Sequence, residues 1–363
     1  MSANYKKLGD YIQPVDVRNS DLKVSHLLGV SVEKRFIESI ANTIGTDFSK
    51  YKIVKKGQFT YIPDTSRRGD KIGIALLTDF DEGLVSNIYT VFEITDTTKL
   101  LPEYLMLWFS RPEFDRYARY KSHGSVREIF DWDEMCRVEL PVPDLKEQEK
   151  IVNTYNAITK RIQLKQKINE NLEKTAQTIY KKMFVEDADE NWKTIKLGEL
   201  AELSAGGDKP ECFSITKTEK CNIPIFSNGI ENYGLYGFTD KPKITKESVT
   251  VSARGTIGFP CLRLEPYFPI IRLVSVTPNE TYTDAIYLYY YLKNTNIVSS
   301  GTTQQQLTVP EFRETKIVVP NRNTVDEFSV KVRKLFYYQK ENEKEISKLQ
   351  ELKQLVISRI SGM

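Results

Sequence analysis

The chain has 363 residues, which at roughly 100–200 residues per domain predicts two or three domains. Apolar residues make up 40% of the sequence and charged residues 28%, a composition that excludes an intrinsically disordered chain. With 52 basic and 49 acidic residues the net charge is only +3, so any nucleic-acid contact must come from a few local residues or from partner subunits.

No apolar run approaches the roughly 20 residues of a membrane-spanning helix, and the first residues lack the apolar stretch of a secretory signal. We therefore expect a globular protein of the cytoplasm. The four cysteines form no C-x-x-C pair and only two histidines are present, so we expect neither a zinc site nor a disulfide framework. The cysteines are expected to be isolated buried thiols.

A repeat runs through the chain in a constant order. Its ends are marked by Lys7-Leu8-Gly9-Asp10, which returns as Lys196-Leu197-Gly198-Glu199, and by Leu140-Pro141-Val142-Pro143, which returns as Ile317-Val318-Val319-Pro320. Four shorter matches lie between these ends: Phe59-Thr60-Tyr61 with Val249-Thr250-Val251, Ile72-Gly73 with Ile257-Gly258, Tyr104 to Trp108 with Tyr287 to Tyr291, and Gly124-Ser125 with Gly301-Thr302. After the first strand the spacing of the matches shrinks, as in a duplicated module whose second copy has shorter loops.

The body of each copy is predicted to mix strands and helices. Segments rich in Val, Ile, Tyr and Phe predict strands at 52–62, 72–77, 88–94, 248–252, 268–277 and 316–319. Amphipathic patterns predict helices at 102–109 and 284–292. Each copy is therefore predicted to be an α+β globule.

Each copy ends in a long segment without internal Pro or Gly, at about 146–184 and about 324–361. Each segment has about 38 residues, or roughly 57 Å of helix at 1.5 Å per residue. An extended X-Pro step and an N-cap residue, Asp144 or Asn321, precede each predicted helix, and residues 186–190 are predicted to link the copies. Apolar residues alternate steps of four and three, a heptad pattern. They are Ile151, Tyr155, Ile158, Ile162, Leu172, Ala176, Ile179 and Met183 in the first helix, and Phe328, Val332, Leu335, Ile346, Leu349, Val356 and Ile360 in the second.

Both apolar seams turn polar in the middle, at Lys165 and Asn169 in the first helix and at Gln339 and Asn342 in the second. If the helices pair antiparallel, as the repeat suggests, these polar residues face each other and fix the register. A solvated bulge in an ordinary helix is the alternative interpretation.

Motifs of catalysis are absent from the sequence. There is no G-x-x-x-x-G-K-[ST], G-x-G-x-x-G or G-x-S-x-G pattern, and no Asn or acidic residue followed by Pro-Pro and an aromatic, as amino-methyltransferases use. The acidic group Asp79, Asp81 and Glu82 is predicted to lie in a solvated turn. These absences favour a binding or scaffolding protein.

The repeat ends and several internal segments resemble the specificity (S) subunit of type I restriction-modification systems. The internal segments are Ser252-Ala253-Arg254-Gly255-Thr256-Ile257-Gly258, its looser first-copy form Ser66-Arg67-Arg68-Gly69-Asp70-Lys71-Ile72-Gly73, Gly301-Thr302-Thr303-Gln304-Gln305, and the helix opening Pro143-Asp144-Leu145-Lys146-Glu147-Gln148-Glu149-Lys150-Ile151-Val152. The resemblance covers essentially the whole chain. It departs where the second helix opens with Thr324-Val325-Asp326-Glu327, and where the first copy has Gly124-Ser125-Val126-Arg127-Glu128 in place of the Gln-rich segment.

The resemblance implies an α+β fold of two pseudo-repeated α/β target recognition domains, each followed by a long helix, the two helices pairing as an antiparallel coiled coil. The implied boundaries are 1–145 for the first recognition domain, 146–190 for the first helix and linker, 191–322 for the second domain and 323–363 for the second helix. Each domain is then expected to read one half of a bipartite site on double-stranded DNA, with the helices setting the spacing.

The same resemblance implies partners and cofactors. Two methyltransferase (M) subunits and up to two restriction (R) subunits are expected to dock on this chain. The partners are expected to use S-adenosylmethionine, ATP and magnesium, while this chain binds no cofactor or metal and performs no catalysis. The seam residues implied to bind partners are Ile151, Tyr155, Ile158, Ile162, Leu172, Ile179, Phe328, Val332, Leu335, Ile346, Leu349 and Val356.

Candidate DNA-binding residues are basic or polar side chains in the predicted loops, beside glycines that allow close backbone approach. Arg pairs with guanine and Gln with adenine, whereas Ser and Thr more often hold phosphate. The candidates are Arg67, Arg68, Lys71, Ser122, His123, Ser125 and Arg127 in the first copy, and Asn228, Tyr233, Arg254, Thr256, Thr302, Thr303, Gln304 and Gln305 in the second. For each of them an ordinary solvated loop residue is the alternative, and for His123 a structural histidine.

Three other functions remain open at this point. The chain could be the recognition subunit of a related system with a fused nuclease-methyltransferase, or a coiled-coil scaffold that does not bind DNA. A stand-alone nuclease is disfavoured, because Pro63-Asp64 lacks an acid-x-Lys partner on a following strand.

Overall fold

The computed structural model describes residues 5–39, 45–66, 71–124, 127–295 and 306–360. The chain divides into two units, Met1–Lys165 with Lys344–Met363, and Gln166–Glu343. Each unit therefore contains one sequence repeat and part of both long helices. None of the described helices is both long and apolar enough to cross a membrane.

The first repeat is built on a four-stranded antiparallel sheet. The described strands of the whole repeat are β1 Tyr5–Lys7, β2 Ile12–Val15, β3 Leu28–Val30, β4 Phe36–Glu38, β5 Lys52–Lys55, β6 Phe59–Tyr61, β7 Ile74–Leu76, β8 Glu82–Val85, β9 Thr90–Ile94 and β10 Glu139–Pro141. Its helices are α1 Pro102–Phe109, α2 Pro112–Lys121 and α3 Trp132–Arg137. The sheet has the order β2-β9-β6-β7, and β3–β4, β5–β8 and β1–β10 form separate antiparallel pairs. Pairing of β1 with β10 joins the two ends of the repeat.

The core of the first repeat is aromatic. The Phe59 and Phe92 rings stack between neighbouring strands, with centroids 4.9 Å apart, and Phe109 of α1 meets both edge-on. Proline in the first turn starts both α1 and α2, where its missing N–H leaves no helical hydrogen bond unmade. The predicted helix at 102–109 is confirmed.

The first long helix, α4, runs from Leu145 to Lys181 and continues as a π-helical turn, Lys182–Glu186. The Asp144 carboxylate accepts the N–H of Glu147 at 2.9 Å, as expected of an N-cap.

The second repeat has the same plan. It contains β11 Lys193–Lys196, α5 Leu197–Leu200, β12 Ala201–Ala205, β13 Ile223–Phe226, β14 Leu235–Thr239, β15 Ser248–Val251, β16 Pro260–Arg263, β17 Phe268–Pro269, β18 Val274–Pro278, α6 Ala285–Asn294, α7 Val309–Arg313 and β19 Lys316–Val319. The sheet order β12-β18-β15-β16 matches that of the first repeat, and β11 pairs with β19 as β1 does with β10. A further sheet, β14-β13-β17, has no counterpart among the described strands of the first repeat. The second long helix, α8, spans Arg322–Arg359, and Asn321 caps it by accepting the N–H of Thr324.

Four predicted strands have wrong boundaries. The strand predicted at 72–77 covers only Ile74–Leu76. The segment 52–62 is two strands, because Gly57 at a φ of 85° turns the chain between them. The segment 268–277 is also two strands, because Ile271 and Arg272 have φ values of 53° and 59° that no strand accommodates. Ile88 lies outside the sheet and is 65% exposed, so that strand begins only at Thr90. The group Asp79, Asp81 and Glu82 is exposed as expected, although Glu82 opens β8.

One hydrogen bond recurs at matched positions of the two repeats. The Tyr104 hydroxyl donates to the Pro141 carbonyl at 2.9 Å, and the Tyr287 hydroxyl donates to the Val318 carbonyl at 2.7 Å. Both tyrosines are buried, and each bond joins the helix that follows the central sheet to the last strand of its repeat. The repeat found in the sequence is therefore a repeat of the structure.

The sequences that open the two long helices differ between the repeats. In the structure, a different residue in each repeat binds the long helix to the turn before the short helix. The buried Gln148 amide donates to the carbonyls of Lys99 and Pro143 and accepts the N–H of Leu101, which fastens α4 to the turn before α1. The matching position in the second repeat is Val325, which is fully buried. In the second repeat Arg322 makes the equivalent connection. It donates to the carbonyls of Glu280 and Thr283, in the turn before α6.

The two long helices pair antiparallel within each unit. In the first unit, Arg161 and Lys165 of α4 bind Glu345 of α8 at 2.5 and 2.8 Å, and Lys353 lies 4.7 Å from the Tyr155 ring centroid. Hydrogen bonds from both cations hold the pKa of Glu345 below its usual range, Lys165 contributing most.

The second unit contains the predicted polar layer. The Gln339 amide donates to the Asn169 carbonyl at 3.0 Å, and the Asn342 amide donates to Oδ1 of Asn169 at 2.7 Å. Farther along the pair, the rings of Tyr180 and Phe328 lie 6.0 Å apart. Asn342 is only 8% exposed, so the polar residues form a hydrogen-bonded layer between helices instead of a solvated bulge.

Replacing Asn169 with alanine should destabilise the protein, because it removes the hydrogen bond between the Asn342 amide and Oδ1 of Asn169. A hydrogen bond of this kind contributes about 0.5–1.5 kcal/mol to stability. Urea unfolding followed by circular dichroism should therefore show a lower midpoint. Asn171→Ala is the matched control, since Asn171 is exposed on the same helix. Equal midpoints for the two variants would contradict a stabilising polar layer.

Candidate nucleic-acid interface

Asn228 joins three loops of the second repeat. Its Nδ2 donates to the Ile271 carbonyl at 2.6 Å, and its Oδ1 accepts the N–H of Ala253 at 2.8 Å. These bonds connect the loop after β13, the loop after β15 and the turn between β17 and β18. Asn228 was predicted to contact DNA, but the structure uses both ends of its amide inside the protein. Its side chain therefore positions the loops.

The turn between β17 and β18 holds two exposed residues in a left-handed conformation, Ile271 and Arg272. Their N–H groups donate to the carbonyls of Gly207 and Gly206 at 2.8 and 2.9 Å. A Cβ at Gly206 would lie 2.8 Å from backbone atoms of Ile270, so only glycine allows this approach. Such strained backbone persists where surrounding contacts hold it, often at a binding site.

Arg272 was not among the predicted site residues. It is an exposed cation on the turn that Asn228 ties to the Arg254 loop. No motif or repeat match marks it in the sequence. Its place in the site follows only from the folding of the turn.

Arg254 is exposed at the centre of the loop after β15. Its Nε and Nη2 both donate to Oε1 of Gln306, at 3.3 and 3.1 Å. Gly255 follows with a φ of 69°, and Thr256 beside it is exposed. The predicted Arg254 and Thr256 are thus both accessible, and a neighbouring amide holds the guanidinium in place.

Tyr233 is exposed in the loop between β13 and β14, where it and Asn232 have left-handed φ values of 53° and 49°. The buried Arg263 supports this loop from below. Its Nη2 donates to the Tyr233 carbonyl at 2.6 Å, its Nε donates to Thr250, and its guanidinium carbon lies 3.5 Å from the Phe226 ring centroid. Burial lowers the pKa of Arg263, but a guanidinium remains charged in proteins.

Two predicted residues of the first repeat make contacts within the chain. Lys71 is half exposed and pairs with Glu33 at 2.9 Å, and that hydrogen bond raises the pKa of Lys71. Ser122 is half-buried, donates to the Ala118 carbonyl at 2.7 Å and accepts from Thr65. The Ser122 hydroxyl therefore stabilises its own loop.

His123 and Arg127 have exposed side chains in one tight loop. The backbone of His123 pairs with Ile129 in both directions, at 3.1 and 2.9 Å. Gly124 has a φ of 143°, and a Cβ there would collide with the Arg127 carbonyl. The backbone thus presents both side chains to solvent.

Seven further candidates lie outside the described residues. They are Arg67, Arg68, Ser125, Thr302, Thr303, Gln304 and Gln305.

The predicted seam residues of the long helices pack inside their own units. Ile151, Ile158 and Ile162 are buried in the first unit, while Phe328 and Val332 are fully buried in the core of the second. The remaining seam residues are half-buried: Tyr155, Ile346, Leu349 and Val356 in the first unit, and Leu172, Ile179 and Leu335 in the second. The buried ones are out of reach of an added subunit.

Other apolar side chains of the helices lie off the predicted heptad seam and remain exposed. In the first unit they are Leu164, Leu352 and Leu355, which are 47–56% exposed. In the second unit they are Ile168, Val330, Tyr337 and Tyr338, which are 45–67% exposed. Within the described ranges, no group of three or more His, Cys, Asp or Glu residues is placed to hold a metal ion.

A family model described as the type I restriction modification DNA specificity domain matches the sequence twice, at residues 4–174 and 189–354. These two matches cover most of the chain and coincide with the two repeats.

Two curated relatives from Mycoplasma pneumoniae are each described as a candidate type I specificity subunit. One is 36% identical over 136 residues, which cover 36% of this chain and 40% of the relative. The other is 28% identical over 211 residues, which cover 56% of each chain. The chain therefore spans about half the length of these two relatives. The crystal structure of a type I S subunit from M. genitalium covers 99% of this chain and 96% of its own, with a TM-score of 0.66 at 16% identity, so the fold is shared.

Removing the Asn228 amide should loosen the three loops together. In Asn228→Ala, the backbone amide of Ala253 loses its acceptor, a hydrogen bond of about 1 kcal/mol, and should exchange several-fold faster with deuterium. Asn228→Asp keeps that acceptor and removes only the donor to Ile271, so it should loosen the β17–β18 turn alone. Hydrogen exchange measured by mass spectrometry resolves these segments. Asn222→Ala, at an exposed asparagine, is the control, and unchanged exchange in Asn228→Ala would refute the positioning role.

Proposed function

We propose, from the premise that this chain belongs to the family of type I restriction modification DNA specificity domains, that it selects the DNA sequence on which a type I restriction-modification complex acts. In this proposal each repeat reads one half of a bipartite site on double-stranded DNA. The length of the paired helices sets the spacing of the two half-sites. The complex works in the cytoplasm.

The duplicated architecture is the observation that carries the proposal. Both repeats have the same sheet order, the same closing pair of strands and the same tyrosine hydrogen bond. Their loops nevertheless differ, both in length and in the side chains that reach solvent. A duplicated scaffold with unlike loops suits a bipartite target, because each copy can read its own base sequence.

The loops of the second repeat have the side chains that base reading requires. Arg254 and Arg272 supply guanidinium donors, which suit the O6 and N7 acceptors of guanine. Thr256 is exposed, and its hydroxyl suits a contact with phosphate. In the first repeat, His123 and Arg127 are exposed on a different loop, the one that the sequence repeat matches with Gly301-Thr302. Asn228 and Arg263 serve this function indirectly, by holding the loops that present these groups.

The remaining parts of the complex are proposed from the family. The chain docks two methyltransferase subunits and up to two restriction subunits, and the exposed apolar residues of α4 and α8 are the surface that we assign to this docking. Methylation with S-adenosylmethionine, and translocation and cleavage with ATP and magnesium, belong to these partners. This chain contributes recognition and no catalytic step.

A pull-down of the tagged chain from its native cells tests the whole proposal. We expect a methyltransferase at two copies per chain, and a purified complex that methylates DNA at one split sequence in the presence of S-adenosylmethionine. A chain that recovers neither methyltransferase nor DNA would instead support the coiled-coil scaffold. A chain recovered with one fused nuclease-methyltransferase would identify the related single-partner system.

Arg254→Ala should weaken DNA binding of the complex by about 1–3 kcal/mol and relax one position of its recognised sequence, if Arg254 reads a base. Arg254→Lys keeps the charge but loses the forked donor geometry, so it should show nearly the same loss. Binding to a library of variant sites measures both effects. Arg116→Ala, at an exposed arginine on α2 whose partner Glu113 is also exposed, is the control. Full affinity in Arg254→Lys would assign Arg254 to phosphate instead, and unchanged binding in Arg254→Ala would exclude any contact.

A further inference from the structure

Two of the four cysteines lie side by side in the second repeat. The sulfur atoms of Cys212 and Cys221 are 3.0 Å apart, although the two residues are nine positions apart in sequence. Cys212 is half-buried and Cys221 is only 5% exposed. The expectation of isolated thiols is therefore wrong for this pair. A disulfide bond is about 2.05 Å long, so bonding requires a shift of only about 1 Å.

Backbone contacts on both sides hold the two sulfurs together. Next to Cys212, Ser214 pairs with Phe238 of β14 through two hydrogen bonds of 2.9 and 2.8 Å. Cys221 closes a tight turn in which its N–H donates to the Thr218 hydroxyl and its carbonyl accepts the N–H of Thr218, both at 2.9 Å. The chain then enters β13, which pairs with β14. Both cysteines are thus anchored to one sheet before any bond forms between them.

The other two cysteines provide a contrast. Cys136 is half-buried in α3 of the first repeat, where its Cβ lies against Gly9. Cys261 is buried in β16. Neither has a sulfur–sulfur contact like that of Cys212 and Cys221, so both serve as internal references.

We propose that Cys212 and Cys221 are a reversible redox pair, oxidised to a disulfide by hydrogen peroxide. The sulfur of Cys212, the less buried of the two cysteines, attacks a peroxide oxygen, the O–O bond breaks, and a sulfenic acid and one water form. The Cys221 sulfur then attacks the sulfenic sulfur. The S–S bond forms, the S–O bond breaks and a second water leaves. Two electrons pass from the two thiols to the peroxide, and a dithiol reductant reverses the change.

The hydrogen bond with Cys221 raises the pKa of the Cys212 thiol. Because the thiolate is the nucleophile, the oxidation should be slow at neutral pH and should become faster as the pH rises through the pKa of Cys212. Slow oxidation suits a response to sustained oxidant.

The bond would clamp the segment from Cys212 to Cys221 onto β14. In this segment the Phe213 ring lies against Gly237 and Tyr236. The loop that bears Asn228 and Tyr233 leaves β13 and returns into β14. Oxidation therefore stiffens the base of a candidate recognition loop. The thiol chemistry itself does not depend on DNA reading.

The sequence makes the test direct, because Lys217 and Lys220 lie between the two cysteines. Trypsin separates Cys212 from Cys221, so only a disulfide keeps their two peptides together. The full-length chain, treated with hydrogen peroxide, should lose about 2 Da and two of its four free thiols. Its unreduced digest should contain the joined peptides, and dithiothreitol should separate them. Hydrogen exchange at Ser214 and Phe238 should slow in the oxidised chain.

Cys136→Ser removes a reference thiol and should oxidise in the same way. Cys221→Ser should instead gain about 16 Da at Cys212 and form no joined peptide. If a variant fails to fold, the presence or absence of the joined peptides in the digest of the unaltered chain still tests the disulfide. Separate peptides with Cys212 oxidised and Cys221 free, or a Cys212 bond between two chains, would overturn the proposal. A joined peptide with unchanged exchange at Ser214 and Phe238 would overturn the clamp.

Discussion

Each repeat of this protein depends on both long helices to complete its core. In the first unit the core takes Ile151 from the start of α4 and Ile360 from beyond the end of α8. In the second it takes Tyr180 from the end of α4 and Phe328 from the start of α8. A core that needs the beginning of one helix and the end of the other imposes an antiparallel pair, since apolar side chains at the wrong end would remain in water. The polar layer at Asn169 then selects one register among those that the apolar seam alone would tolerate.

Both repeats keep the same contacts that support the loops, but different residues make some of these contacts in the two repeats. Tyr104 and Tyr287 make the same bond, because in both repeats a buried hydroxyl must satisfy the same strand carbonyl. At the start of each long helix, one polar side chain binds the turn before the short helix. The residue is Gln148 in the first repeat and Arg322 in the second, and the two occupy different positions of the repeat. Loops mounted on such a scaffold can change without disturbing either core.

The candidate interface separates side chains that face solvent from side chains that hold the loops. Arg254 and Arg127 are exposed, whereas the polar groups of Asn228 and Ser122 bind other parts of the protein. Both kinds are polar residues beside glycines or turns, so their sequence contexts are alike. The difference depends on which backbone groups lack a main-chain hydrogen bond in the fold. The Ile271 carbonyl, for example, accepts its hydrogen bond from the Asn228 side chain.

The sequence by itself determined the duplication, the two heptad seams, the polar layer and the helix caps at Asp144 and Asn321. These features are visible because they repeat along the chain or act within a few residues, where period and spacing are readable. Only the tertiary structure decided the break in the strand at Ile271, the support of the Tyr233 loop by buried Arg263 and the meeting of Cys212 with Cys221. Each of these depends on how the chain returns on itself, because the contacting groups are brought together by sheet pairing and core packing instead of by their order in sequence.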